Sequence, residues 1–469
     1  MRTRRQFLRD SSALGALLLA GCAPAIHLPG RRRFDLIVRG GTVFDGTGSA
    51  GMERDVGILD GRIAAIAASL GDDAREVIDA RGLAVAPGFI DIHSHADEGL
   101  FLDPLVESVI RQGVTTVIVG QDGSSRAPAR RGDTDGSQYP TLREFFAAVD
   151  ALPSAVNIAS MVGLGTVRHA MVGDDDRRAT PDELRAMVAL VERALADGAC
   201  GASTGLEYTP GAFAPLDELI ALARPLAARR LPYATHMRNE DDRLLQALDE
   251  AIAVAHGAGC PLEVSHLKTE GKRNWRKIDD VFRRIDDARR TGLDVTFDRY
   301  PYIAYQTDLG NLFPKWSEDG GTAAFVARLQ RADLAPRLRE AVGAKIDLLG
   351  GWNNVLISSV AAEADRGAEG QRLGTYAAAL GGDPYDTAVE LLVRSRGDVG
   401  MVGFAMSEEN VERFLAHPLC TVCSDGGAVA VSGPARVGHP HPRSLGTFPR
   451  VLGHYVRERH TLSLAQAIH

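Results

Sequence analysis

The chain has 469 residues, 45% of them apolar and 24% charged, which is an ordinary globular composition. At roughly 100–200 residues per domain this length predicts two or three units, although a single α/β barrel can use about 250. A net charge of -8, with no basic stripe to meet phosphates, speaks against nucleic acid as a partner.

The first thirty residues read as an export signal. Thr3-Arg4-Arg5-Gln6-Phe7-Leu8 is a twin-arginine pattern, and Ala13 opens a short apolar run that ends at Ala20. That run is too short to span a bilayer and suits a signal peptide. Leu19-Ala20-Gly21-Cys22 follows and resembles a lipobox, in which the cysteine is lipidated and becomes the new N-terminus. A disordered basic tail with a chance cysteine would not place these three features in this order. The expectation is a signal region over 1–30, twin-arginine export, and a periplasmic protein held to the membrane by a lipid on Cys22. The remaining cysteines (Cys200, Cys260, Cys420 and Cys423) are scattered and suggest no disulfide framework. Cys420 and Cys423 lie three apart in a strand-like segment, facing opposite sides, and read as barrel packing.

From 34 to 86 the pattern is β, with Asp60-Gly61 as a two-residue hairpin turn. These short strands with glycine-rich turns predict a small β-sandwich domain. From Pro87 onward, apolar strands alternate with helical stretches, the signature of parallel βαβ units. Strand candidates are 88–93, 114–119, 156–161, 199–204, 232–236, 262–266, 293–298 and 419–424, with helical segments such as 182–197, 242–258 and 277–291 between them. Eight such units predict a (β/α)8 barrel over 87–469. The connection 303–418 between strands seven and eight must hold structure of its own and is a candidate lid.

The chemistry lies at the strand ends. Gly88-Phe89-Ile90-Asp91-Ile92-His93-Ser94-His95 is an apolar strand ending in His-x-His, and residues two apart share a face. Both imidazoles can therefore converge on one ion, most simply zinc. His236 closes strand five, His266 closes strand six and Asp425 closes strand eight. All of these ends face the barrel mouth where such enzymes carry their chemistry. Core histidines have no reason to fall there so regularly, so the pattern predicts a metal site. Lys268, two residues beyond His266, shares its face if the strand continues.

These residues resemble the amidohydrolase superfamily, and within it the D-aminoacylase (N-acyl-D-amino-acid deacylase) family. The likeness runs from Asp35 to the C-terminus and is strongest at 88–95, 201–210, 235–238, 265–268, 298–302 and 441–458. It implies a tight zinc on His236 and His266, a second and looser position on His93 and His95, and Asp425 as catalytic base. The family's cysteine ligand in a Gly-Asn-Cys-Gly turn is replaced here by Asp122, in Gly120-Gln121-Asp122-Gly123. A carboxylate is a harder ligand that still suits zinc and also tolerates manganese or iron. Tyr208, Tyr300 and Arg436 resemble residues that hold the substrate carboxylate, a role Lys268 can share. Glu207 stands near strand four, where some superfamily members use a carboxylated lysine. His439 and His441 read as structural.

The resemblance implies metal-dependent hydrolysis of an N-acyl-D-amino acid to a carboxylate and a free D-amino acid, with one or two zinc ions. A cyclic-amide hydrolase of hydantoinase or dihydroorotase type shares the barrel. The missing strand-four lysine and the 441–458 motif count against it. A catalytically inactive envelope binding protein is opposed by the full histidine set and by Asp425. Relatives continue past the equivalent of His469 with further strands, so the C-terminal part of the small domain is expected to be missing.

Overall fold

The computed structural model describes residues 33–129 and 138–469. Cys22 and the twin-arginine segment lie outside the described residues. The chain divides into two compact units, Met1–Pro87 with His469, and Gly88–Ile468. No helix among the described residues is long and apolar enough to cross a membrane.

In the first unit, Phe34–Val43, Met52–Leu59, Arg62–Ala67, Ala74–Asp79 and Ala84–Val85 form one five-stranded sheet. Asp60 (φ 50°) and Gly61 (φ 70°) are both left-handed, as a type I′ hairpin requires. Phe34, Ile37 and Leu70 make its small core. The small β domain expected from the sequence is present as this one sheet among the described residues. Its strands pair edge to edge around Phe34–Val43.

The second unit is the barrel. Its strands are Phe89–Asp91, Val114–Val119, Asn157–Ser160, Ala202–Gly205, Tyr233–His236, Leu262–Val264, Val295–Arg299 and Cys420–Val422. Strands one to three pair in parallel, and Val162–Gly163 carries strand three onto strand four. Strands four to eight follow in parallel order. The ring closes where Gly426 pairs with Ser94 and Gly427 with His95, so strands one and eight meet at the histidines. A buried core of residues such as Val117, Val264, Val295, Leu222, Val254 and Ile285 lies between strands and helices. Helix Pro181–Asp197 shows how locally these boundaries are encoded. Thr180 and Glu183 form a capping box, Pro181 opens the first turn and Gly198 closes the helix. Cys423 is buried in the core and Cys420 half-buried, both as free thiols.

The long connection is a subdomain. Ala304–Asp308 and Val355–Val360 flank Val399–Phe404 in an antiparallel sheet. Helices Gly321–Leu329, Ala335–Leu349, Leu373–Ala379 and Pro384–Arg394 cover it. Its own core includes Phe325, Leu338, Ile357, Leu391 and Met401. Helix Glu408–Leu415 then returns the chain to strand eight.

Candidate metal centre and active site

The barrel ends bring His93, His95, Asp122, His236, His266 and Asp425 together. Asp122 is the hub. Its oxygens lie 3.4 Å from His93 Nε2, 3.5 Å from His95 Nε2, 3.4 Å from His266 Nε2 and 3.8 Å from His236 Nδ1. Asp425 Oδ1 stands 3.3 Å from His95 Nε2 and 3.6 Å from His93 Nε2, while its Oδ2 accepts from Arg443 at 2.5 Å. One oxygen of Asp425 is thus anchored and the other faces the centre.

Three of these residues hold left-handed backbone: Asp122 (φ 51°), His266 (φ 34°) and Asp425 (φ 50°). Such conformations cost about 1–3 kcal/mol each and persist only where the surrounding structure enforces them. Asp122 is enforced by its flanking glycines. A Cβ on Gly120 would stand 2.2 Å from the Met161 carbonyl, and one on Gly123 2.6 Å from the Gly205 nitrogen. The turn can therefore only run as glycine-x-x-glycine, which aims Asp122 inward. Asp91 ties strand one to strand eight by accepting from the Ser424 backbone at 2.9 Å and from its hydroxyl.

Two of the imidazoles that face Asp122 have a carboxylate hydrogen-bonded to the other ring nitrogen. Asp298 stands 3.4 Å from His93 Nδ1 and also accepts from the His266 backbone N–H at 2.6 Å. Glu207 stands 3.2 Å from His236 Nε2. Glu240 lies between His266 Nδ1 (3.3 Å) and His236 Nε2 (3.7 Å) and accepts from Lys268 at 2.5 Å. Lys268 also reaches His266 Nδ1 at 2.7 Å. Outer carboxylates of this kind set the tautomer and orientation of a metal-binding histidine.

The electrostatics match a cation site. Burial opposes charge on the rings, yet the facing carboxylates outweigh it: His93 is raised well above its usual value, and His95 and His236 to about 10. Burial likewise pushes Asp122 and Asp425 up, but the histidines around Asp122, and Arg443 with the histidines around Asp425, hold both well below the carboxylate range. His93 Nε2 and Asp122 Oδ1 are buried without a hydrogen-bond partner. Leaving such atoms unsatisfied costs about 1–3 kcal/mol each, a cost a bound cation removes. Donor atoms of His93, Asp122, His266 and Asp425 all lie within 4.8 Å of one another, and this imidazole-carboxylate set fits a divalent metal.

A cavity of about 780 Å³ opens over the centre. Lys268, Tyr208 and Tyr300 line it; Arg436 is exposed and does not. Arg443, seven residues on, does line it and was not singled out from the sequence. The Tyr300 hydroxyl is buried and unpartnered, with Arg443 5.0 Å and Lys268 5.9 Å from its ring. The Tyr208 hydroxyl meets Thr307 at 3.2 Å. Sequence reasoning also passed over Glu240 and Asp298. The first stands four residues beyond His236, and the second is the last but one residue of strand seven, so both carried a positional signal. His441 is buried and packs near Tyr300 and Tyr302.

The amidohydrolase family profile matches residues 76–328. The N-acyl-D-glutamate deacylase of Alcaligenes xylosoxydans xylosoxydans is 36% identical over 447 residues, spanning 93% of this chain and 82% of that protein. The D-aminoacylase of the same organism is 35% identical over 448 residues, with the same shares covered. The crystal structure of N-acyl-D-glutamate deacylase from Bordetella bronchiseptica, complexed with zinc and a phosphonate mimic of the tetrahedral intermediate, superposes with a TM-score of 0.78. It is 35% identical and covers 92% of this chain and 83% of that one. At this identity over nearly its whole length, the chain belongs to the amidohydrolase family and, within it, to the D-aminoacylases.

Proposed function

We propose that this protein hydrolyses N-acyl-D-amino acids with zinc held by His93, His95, Asp122, His236 and His266. The observation that carries the reading is the convergence of these donors with Asp425 and two cavity cations, Lys268 and Arg443, at one barrel mouth. The zinc-loaded relative and the D-amino-acid specificity in the relatives' names support it.

Zinc, when bound, would supply Lewis acidity at this centre, held by His93, His95, Asp122, His236 and His266. Asp425 Oδ1, the free oxygen of the anchored carboxylate, takes the proton from the attacking water. It then delivers that proton to the leaving nitrogen as the C–N bond breaks. The products are a carboxylate and a free amine. Arg443 keeps Asp425 ionised and aimed. The Tyr300 hydroxyl, with Lys268 and Arg443 over its ring, receives the substrate carboxylate, and Tyr208 closes the pocket beside His236 at 4.7 Å between rings.

The test is a panel of N-acetyl-D- and L-amino acids assayed with zinc supplied. D-selective release of amine is expected, and turnover of L substrates alone refutes the reading. The twin-arginine and lipobox pattern supports a further part of the proposal: export in the folded state and membrane attachment through a lipid on Cys22 in the periplasm. Cys22→Ala should then release the protein from the membrane fraction; persistence there refutes the anchor.

A further inference from the structure

Helix Ala335–Leu349 of the insertion sends one cation into the barrel wall. Lys345 Nζ lies 3.0 Å from Asp241, 3.3 Å from Glu270 and 3.6 Å from Glu207 Oε1. The lysine side chain is 14% exposed, and the three carboxylates are 11%, 4% and 12% exposed. The other oxygen of Glu207 stands 3.2 Å from His236 Nε2, and His236 Nδ1 faces His266 Nε2 at 2.9 Å and Asp122 at 3.8 Å. Glu240 adds a fourth carboxylate to this wall, and Lys268 answers it at 2.5 Å. Lys345 is the cation that answers the other three.

We propose that Lys345 is a positioning residue for the metal centre, acting through Glu207 to fix the orientation and tautomer of His236. With Lys345 in place, Glu207 is held at one oxygen and accepts the His236 Nε2–H with the other. That leaves Nδ1, turned toward His266 and Asp122, as the nitrogen that would hold the metal. Without Lys345, like charges repel across the wall, Glu207 turns away and His236 loses the partner that fixes its proton. The insertion therefore contributes to metal affinity from outside the ligand set, and by linkage a bound metal favours its docked position. The inference rests on His236 being a metal ligand and is independent of which amide is cleaved.

The experiment measures zinc affinity by competition with a chromogenic chelator, and the absorption spectrum of the cobalt-loaded protein, in full-length variants checked for fold by circular dichroism. Lys345→Met and Glu207→Gln should each weaken zinc binding about 10–100-fold and shift the cobalt bands. Lys345→Arg should restore most of the affinity. The double variant should bind no more weakly than Glu207→Gln alone, because both changes cut one chain of contacts. Parental zinc affinity in Lys345→Met, parental affinity in Glu207→Gln, or losses that simply add in the double variant would each overturn the proposal. Should Lys345→Met not fold, Lys345→Gln, which keeps the length and loses the charge, decides in its place. A protein that binds zinc as described but cleaves no N-acyl-D-amino acid would refute the proposed function and leave this inference standing.

Discussion

Replacing Asp122 by asparagine keeps the side chain's shape and its tolerance of left-handed backbone (φ 51°) while deleting its charge. The four facing ring nitrogens lie 3.4–3.8 Å from its oxygens, so Asp122 is the charge common to both halves of the centre. A unit charge at such a range is worth about 4 kcal/mol at an effective dielectric of about 20. The neutral amide recovers part of this, since it costs less to bury and its oxygen still accepts. A net loss of roughly 1.4–2.8 kcal/mol remains, or roughly 10–100-fold in metal affinity. The assay is chelator competition with zinc at fixed pH and salt, with metal content after dialysis as a second readout. Asp122→Cys is the control: a thiolate is a softer zinc ligand and should bind zinc tightly. A D122N protein with parental stoichiometry and an affinity within about two-fold of the parent would falsify the hub role.

Further outcomes follow from the same geometry. Asp425→Asn should retain zinc while kcat falls by about 10²–10⁴, the usual contribution of a positioned base. Arg443→Met should lower kcat/KM by roughly 10–100-fold, because a charge-assisted hydrogen bond to Asp425 and a cavity cation are both lost. Arg436→Ala, at an exposed position, should leave it unchanged; the reverse ranking would relocate the carboxylate pocket. Glu98, Asp308 and Asp398 line the cavity, and Lys268 and Arg443 are its only lysine and arginine among the described residues. N-acetyl-D-leucine should therefore be turned over faster than N-acetyl-D-glutamate, and a preference for the glutamate substrate in initial-rate assays counts against this. Finally, the facing carboxylates raise His95 and His236 to about 10, so zinc binding at neutral pH should displace protons from them. Affinity should rise with pH and fall by more than about ten-fold between roughly pH 8 and pH 6, with protons released on loading; a pH-independent Kd refutes this.

Much of the barrel was legible because it is encoded locally. Apolar strands, helix caps such as Thr180 with Glu183, and the His-x-His period each depend on neighbours in sequence. The strand ends at His236, His266 and Asp425 follow from the same alternation. The small domain was less legible in detail: its alternating strands announced a sheet, but which strand sits at its centre is a matter of packing, and Phe34–Val43 takes that place by pairing with three others.

The sequence by itself determined the barrel and five residues at its mouth (His93, His95, His236, His266 and Asp425), because strand periodicity and strand-end position fix which side chains share a face; Asp122 and the family followed from the resemblance of whole motifs. Tertiary structure alone decided that Arg443 rather than Arg436 enters the cavity, since seven residues of loop can run either way. It alone showed that Asp122, His266 and Asp425 sit in enforced left-handed backbone, and that Lys345 crosses from the insertion to stand against Glu207. These features arise from contacts between segments far apart in the chain, where the geometry of the closed barrel, and not local preference, sets which charges meet.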